Sequence, residues 1–468
     1  MKKMLKRRGY ILLKSELTSK QLSKIRKDLN VKPYVNQQYG PPPTPFPIYL
    51  ESPKKLYLPR HYGIENFGEP TIDMLENGEE INVSFNKTLR PYQVPIVDAM
   101  MDAANKKGGG LICVPCGWGK TVIAINILSR LKRKTLVIVH KEFLMEQWKT
   151  RINDFLDNVS IGTIQGKKVD IINKDIVLGM LQSISMKDYP KYVFEQFGTV
   201  IFDECHHLGA EVFSKALPKV ASKYMIGLSA TPKRKDGLTK VFEWYIGNVV
   251  YSAKREKKEC VDVRYIKYKL EECMDKEFYS KECINYAGRV NIPQMITNIC
   301  SFSKRTEYII DIIKDLIKAG RKCLLLSDRR DHLTYIKNAL DTREICSSGY
   351  YVGGMKQKDL KISEEKQILL ATYSMASEGF DVPSLNTLIL ASPKSSIEQS
   401  VGRILRQRPE DRLMTPLIID IVDDFSVFAR QAIKRKRFYK RNKYNVVYES
   451  NTQSFTQSNL ENYSFLDD

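Results

Sequence analysis

No apolar run in this chain approaches the ~20 residues that span a bilayer, which argues against an integral membrane protein. The opening residues offer a basic segment and only Tyr10-Ile11-Leu12-Leu13 as an apolar one. That is too little for a secretory signal, so an intracellular, soluble protein with no membrane partner is expected. Cysteine is sparse: nine, an odd number scattered along the chain, do not make a disulfide framework. Cys113 and Cys116 form a C-x-x-C with no second pair beside it, so a buried thiol next to a loop thiol is expected rather than zinc or redox chemistry. Carboxylates are the minority charge. Against 54 Asp and Glu stand 75 Lys and Arg, a formal +21. Such an excess points to a polyanionic partner, because each neutralised phosphate releases a counterion. A generally basic surface is the plainer alternative, and charge alone does not separate DNA, RNA and a membrane surface.

What is present is enough chain for two or three domains, since 468 residues exceed one hydrophobic core. Residues 1–85 differ from the rest. Residues 17–29 can form one helix capped by Thr18 or Ser19, and Gly40-Pro41-Pro42-Pro43-Thr44-Pro45-Phe46-Pro47 must be extended or turning. With no catalytic constellation there, a small accessory domain is expected. From about Leu89 short apolar runs alternate with helical stretches. Strands are expected at 111–114, 135–139, 176–179, 200–202 and 225–228, with a helix over 120–131. The basic segment 254–258 reads as a connector. A second series follows, with strands at 323–326, 368–371, 387–390 and 417–421 and a helix carrying Ile309, Ile312, Ile313, Leu316 and Ile317 on one face. The fold class is therefore α/β: two tandem parallel-sheet domains, 86–253 and 254–446, after the accessory domain 1–85 and before a polar tail, 447–468.

The chemistry lies in the loops. Pro115-Cys116-Gly117-Trp118-Gly119-Lys120-Thr121 follows one strand and opens a helix, the setting of a phosphate-binding loop. Glycines let backbone N–H groups approach a phosphate, and the helix N-terminus adds a favourable field. Lys120 would reach the terminal phosphates of ATP, and the Thr121 hydroxyl would ligate Mg²⁺. Val114 stands where the strict pattern has its first Gly. Asp203-Glu204-Cys205-His206 directly follows the run Val200-Ile201-Phe202, where α/β sheets place ligands. Asp203 would hold Mg²⁺, and Glu204 would orient or deprotonate the attacking water. A solvated turn, or a zinc site with His206 and His207, is the alternative, and zinc lacks a second ligand cluster.

These residues resemble the superfamily 2 helicases. Leu89-Arg90-Pro91-Tyr92-Gln93 is similar to the family's glutamine motif, whose Gln contacts adenine. Gly117–Thr121 resembles motif I, and Asp203–His206 the DExH box. Ser229-Ala230-Thr231-Pro232 resembles motif III, which couples the nucleotide and nucleic-acid sites. Ala376-Ser377-Glu378-Gly379-Phe380-Asp381 resembles motif V, and Gln399-Ser400-Val401-Gly402-Arg403-Ile404-Leu405-Arg406 motif VI. Six motifs in family order over residues 89–406 make the resemblance strong. The XPB-like branch, the phage UvsW type and the helicases of large DNA viruses, including the poxvirus transcript-release type, look most similar. Arg234-Lys235-Asp236 resembles the R-E-D element of XPB, with Lys in place of Glu.

The resemblance implies two RecA-like domains and ATP with Mg²⁺ as cofactors. It assigns nucleotide contact to Arg90, Gln93, Pro115, Cys116, Gly117, Trp118, Gly119, Lys120, Thr121, Gly379, Asp381 and Gln399. Coupling falls to His206, Ser229, Ala230 and Thr231, and nucleic-acid contact to His140, Lys141, Gln182, Ser183 and Arg234. Arg403 and Arg406 would share a helical face and reach from the second lobe into an ATP cleft, as guanidinium groups suited to phosphate. Residues 430–443, with Phe438, Tyr439 and Tyr444 interleaved, read equally as a phosphate-holding run or as a solvated basic face with core aromatics. The expected function is an ATP-dependent helicase or translocase on DNA. Competing readings are an RNA-directed helicase and an ATP-gated clamp that does not unwind. Neither a nuclease domain nor the clustered cysteines of iron–sulfur helicases is in evidence. Transcription or repair machinery would be the partner, and the viral resemblance implies a host-cell setting, with packaging in the virion as an option.

Overall fold

A computed structural model describes residues 2–34, 43–115, 117–209, 211–230, 234, 236–253, 259–270, 275–286, 288–377, 382–407 and 409–451. The chain divides into two compact units, Met1–Arg255 and Glu256–Asp468. The connector read at 254–258 lies outside the described residues, as do residues 40–42 of the proline-rich stretch. No helix among the described residues is long and apolar enough to cross a membrane.

The first unit is built on eight strands: β1 (Gly109–Cys113), β2 (Thr135–Val139), β3 (Ile161–Gln165), β4 (Lys168–Asp170), β5 (Ile176–Met180), β6 (Thr199–Phe202), β7 (Tyr224–Ser229) and β8 (Val249–Ser252). Their spatial order is β4-β3-β5-β2-β6-β7-β1-β8. All pairs are parallel except β3 with β4. The inner strands are buried from end to end, as in Thr135–Val139, because helices cover both faces of the sheet. Thr135 lies opposite both Ile176 and Thr199, so adjacent strands start level and their following loops emerge along one edge.

Ahead of this sheet, residues 3–73 form a smaller one, in the spatial order Leu50–Glu51, Lys55–Leu58, Gly9–Leu13, Lys3–Lys6, Ile72–Asp73. The helix Ser19–Asp28 is capped by Thr18, which accepts from the Gln21 N–H while the Gln21 side chain accepts from Thr18 N–H. The strands here were not legible in the sequence, being short and half polar. The module shares its core with the first unit: Tyr10, Leu12, Leu58 and Tyr62 belong to the same apolar cluster as Phe197, Met225 and Tyr245. Polar ties reinforce it, from the Tyr245 hydroxyl to the Ile48 carbonyl (2.7 Å) and from Arg7 Nη1 to the Phe194 carbonyl (2.8 Å).

The second unit has seven parallel strands: β9 (Asp262–Tyr268), β10 (Cys323–Ser327), β11 (Ser348–Tyr351), β12 (Ile368–Thr372), β13 (Thr387–Leu390), β14 (Leu417–Asp423) and β15 (Asn445–Ser450), in the order β11-β12-β10-β13-β14-β9-β15. β15 corrects one boundary. Residues 447–450, assigned to the polar tail, extend the sheet alongside β9, with Val447 opposite Arg264. Val446, Val447 and Tyr448 favour an extended backbone, and pairing with β9 places the segment at the sheet edge.

Strand β14 carries two fully buried carboxylates, Asp420 and Asp423. Three residues apart, they point to opposite faces. Each meets an arginine from the helix on its side. Arg305, on the helix Ser303–Lys318, donates Nε and Nη2 to the two Asp423 oxygens at 2.7 and 2.9 Å and Nη1 to the Ala391 carbonyl. Arg435, on the helix Ser426–Arg441, pairs with Asp420, which also accepts from the Tyr439 hydroxyl at 2.9 Å. Bidentate geometry and the extra bonds offset the desolvation of both charges. Arg305→Met, which leaves Asp423 buried and unpaired, is expected to cost roughly 3–5 kcal/mol. In urea denaturation followed by circular dichroism, Arg305→Met combined with Asp423→Leu should recover much of that loss. A single variant as stable as the parent would refute the pairing's role.

Candidate nucleotide-binding site

The first functional loop leaves β1 through Val114 and Pro115. Gly117 and Gly119 take φ of +88° and +74°, and the helix Lys120–Leu131 begins at once. A side chain at Gly119 would bring its Cβ within 2.6 Å of Gln93 Nε2 as well as straining the backbone, so both space and conformation require glycine. Gln93 is buried and braces the loop. Its Nε2 donates to the Trp118 carbonyl (3.0 Å), and its Oε1 accepts from Arg90 N–H (3.0 Å). Arg90 Nη1 donates to the Tyr92 hydroxyl (3.0 Å), and the Tyr92 ring meets Trp118 edge-on at 5.1 Å. The glutamine motif and the phosphate loop are thus one packed unit. Thr121 is half-buried in the first turn of the helix. Cys116 lies outside the described residues.

The acidic loop follows β6, two strands from β1 in the sheet. Lys120 Nζ and Glu204 Oε1 are 2.8 Å apart. Glu204 adopts φ +47°, a left-handed conformation uncommon for a residue with a side chain, held while its neighbours are bonded. His206 Nδ1 lies 3.4 Å from Glu204 Oε2 and 3.2 Å from Ser229 Oγ at the end of β7, joining the DExH box to motif III. Burial would raise the Glu204 carboxyl, but the Lys120 charge and His206 outweigh it and hold it well below the ordinary carboxylate range. Asp203 moves the other way. Burial first, then the Glu204 charge, raises its pKa, opposed by Lys120, by the Trp148 N–H and by His140. Two adjacent carboxyls are thereby pushed apart in acidity.

Trp148 was not singled out by its sequence. On the helix Glu142–Phe155 it shares the buried face of Leu144, Met145 and Ile152, a pattern that reads as ordinary core. Its Nε1 nevertheless donates to Asp203 Oδ2 at 2.9 Å, while Asp203 Oδ1 accepts from Glu204 N–H at 3.0 Å. Both oxygens of Asp203 are therefore oriented. The oriented carboxylate and the Thr121 hydroxyl suit a hard cation that takes its remaining ligands from phosphate and water. No cluster of three or more His, Cys, Asp or Glu that could hold a metal occurs among the described residues.

Of the nucleic-acid candidates, His140 ends β2 in a buried position. Its carbonyl accepts from Gln182 Nε2, and its ring packs at a tilt against His207 (4.1 Å), which in turn packs at a tilt against His206 (4.4 Å). Ser183 Oγ accepts from Gly166 N–H at 2.9 Å, and Lys141 is half-buried with Nζ over the Phe143 ring. Arg234, expected to contact nucleic acid, instead spends its guanidinium within the chain, on Asp236 and the His206 carbonyl. Ala230 is half-buried, and Thr231 lies outside the described residues.

In the second unit Arg403 and Arg406 lie beyond the regular helix. The helix Glu398–Val401 is one turn long, and past Gly402 the backbone closes by i to i−3 bonds, Arg403 N–H to Ser400 and Ile404 N–H to Val401. Arg403 is buried and donates Nε to the Ala376 carbonyl (2.6 Å), tying motif VI to motif V. Arg406 and Gln399 are half-buried, and Gly379 and Asp381 lie outside the described residues.

Comparison with known proteins agrees with this geometry. Residues 86–234 match the family described as type III restriction enzyme, res subunit, and residues 304–408 match the helicase conserved C-terminal domain. Over 470 residues, covering 97% of this chain and 89% of the relative, the chain is 36% identical to the putative ATP-dependent RNA helicase L396 of Acanthamoeba polyphaga mimivirus. It is 28% identical to probable helicase D10 of Escherichia phage T5 over 71% of both chains. It is 27% identical to the putative ATP-dependent RNA helicase QP509L of African swine fever virus, over 74% of this chain and 71% of the relative. The crystal structure of T4 UvsW aligns with 93% of this chain and 96% of that one at 20% identity, with a TM-score of 0.36. On the strength of its identity to a viral helicase along nearly its full length, the chain belongs to the superfamily 2 helicases: it is an ATP-hydrolysing enzyme that acts on nucleic acid and resembles the helicases of large DNA viruses.

Proposed function

We propose that the chain is a DNA motor in which Lys120, Glu204 and Asp203 carry out ATP hydrolysis with Mg²⁺. The observation behind this reading is the 2.8 Å contact of Lys120 with Glu204, made between loops that leave the same edge of one parallel sheet. The terminal phosphates of ATP would compete with Glu204 for Lys120. Phosphate binding then frees the carboxylate to orient or accept a proton from water, so the base is released when there is something to attack. Asp203 and Thr121 would hold Mg²⁺, whose charge offsets that of the phosphates. Gln93 and Arg90 keep the phosphate loop in shape, and the His206–Ser229 contact passes the state of that site toward motif III. Arg403 and Arg406 are assigned to charge stabilisation during phosphoryl transfer.

We assign residues 1–85 to an accessory domain, 86–253 to the first RecA-like domain, 254–450 to the second, which its last strand β15 completes, and the remainder to a tail. The likeness of residues 86–234 to a restriction-enzyme subunit supports DNA as substrate. The names of the mimivirus and African swine fever virus relatives favour RNA as the second reading. Transcription or repair machinery in an infected cell is the proposed setting.

ATPase measured with single-stranded DNA, duplex DNA and RNA at one stated salt concentration decides the substrate. Stimulation by DNA above RNA is expected, and stimulation by RNA alone would reverse the assignment. Glu204→Gln should bind ATP with near-parental affinity yet hydrolyse it about 10²–10⁴-fold more slowly; hydrolysis at the parental rate would remove Glu204 as the base. Trp148→Phe keeps the packing but deletes the bond to Asp203. Half-maximal ATPase should then need about 10-fold more Mg²⁺ or beyond, with the KM for ATP changing little at saturating Mg²⁺. An unchanged Mg²⁺ requirement would reduce Trp148 to a packing residue.

A further inference from the structure

Between Asp424 and Glu449 the chain has eight Lys and Arg and no carboxylate. Seven of these cations lie on the helix Ser426–Arg441. The buried side of that helix is Val427, Phe428, Ala432, Arg435 and Tyr439, so Arg435 serves the core through Asp420. Arg430, Lys434, Arg437, Lys440 and Arg441 are exposed on the side away from it. Arg441 pairs with Glu398 at 2.6 Å. Arg430, Lys434, Arg437 and Lys440 make no ion pair among the described residues.

The helix dipole does not explain this stripe. Cations are favoured in the last turn, where Lys440 and Arg441 sit, but Arg430 and Lys434, fifth and ninth of the sixteen residues, lie in the interior of the helix where the dipole gives them no support. The intervals 430–434, 434–437 and 437–441 are the three- and four-residue spacings at which like charges repel on a helix. Neighbouring helices of the same unit do not share the pattern: Ser303–Lys318 carries Glu307, Asp311 and Asp315 among its cations. Nor is the face built for stacking. Tyr439 is fully buried, and Phe438 and Tyr444 pack edge-on against each other at 5.9 Å.

We propose that this face is a second nucleic-acid surface, outside the motif-bearing loops, which holds the phosphodiester backbone of DNA through Arg430, Lys434, Arg437 and Lys440. From residue 430 to 441 the helix rises about 16 Å, long enough to face several successive phosphates of one strand. The contact is one of charge, with no reading of bases, as a translocating enzyme requires. The helix is fixed rigidly from beneath by the Arg435–Asp420 pair, so the stripe is held in place before DNA arrives. The choice of DNA as occupant rests on the substrate reading above.

The test is the salt dependence of binding, read by fluorescence anisotropy with a labelled DNA single strand, its duplex and an RNA of the same sequence. In the full chain, Arg430→Gln, Lys434→Gln and Arg437→Gln together should lower the slope of log affinity against log salt on DNA by about 2–3 units. ATPase without nucleic acid should stay at the parental rate, and the thermal midpoint should be unchanged. Lys20→Gln, Lys24→Gln and Lys27→Gln, exposed on the helix Ser19–Asp28, remove the same charge elsewhere and should leave the slope alone. An unchanged slope in the first triple variant, or an equal loss in both, would overturn the proposal. A loss confined to RNA would overturn the DNA occupant; DNA stimulation of the parental ATPase, measured alongside, tells whether the substrate reading falls with it.

Discussion

A parallel sheet delivers every strand's following loop to the same edge, and this enzyme depends on that constraint. Adjacent strands β5, β2, β6, β7 and β1 end at Met180, Val139, Phe202, Ser229 and Cys113. Directly beyond those ends come Gln182 and Ser183, His140 and Lys141, the DExH box, motif III and the phosphate loop. Residues far apart in the chain become neighbours without any long connection having to be ordered. An antiparallel arrangement would send alternate loops to opposite edges and divide the constellation in two.

Within that row the electrostatics are arranged around one lysine. Lys120 lowers Glu204, with help from His206, and partly offsets the rise that burial and the Glu204 charge impose on Asp203, so one cation acts on both carboxyls. The helix begins at Lys120 directly after Gly119 in its left-handed conformation, and so presents the lysine to carboxyls more than eighty positions away.

The sequence made the strands β2 and β13 and the helix Lys120–Leu131 legible to the residue, because unbroken apolar runs and a glycine-rich start leave few alternatives. It concealed what depends on partners distant in the chain. The edge strands β4, β8 and β15 are short and partly polar, and each pairs with a single neighbour. Trp148 sits at a core-like helical spacing, and only the fold discloses the carboxylate at its indole nitrogen. Arg403 and Arg406 have the spacing of a shared helical face, yet the regular helix ends at Val401 and turns carry the chain past Gly402. Arg234 has the charge of a phosphate contact and the surroundings of a structural brace.

Asp420 and Asp423 show why the basic C-terminal segment is two things at once. An acidic residue inside the run Leu417–Asp423 is costly to bury, and each is acceptable only with a cation brought from a covering helix. Arg435 is that cation for Asp420, which fixes the rotation of the helix Ser426–Arg441 about its axis: turning it inward places Tyr439 on the same carboxylate. Once that rotation is set, geometry leaves no choice for the other cations. Spaced at 430, 434 and 437, they must emerge together on the opposite face. The same repeat of basic residues that resists interpretation as a string thus separates into a core half and a surface half, and one buried carboxylate decides which residue belongs to which.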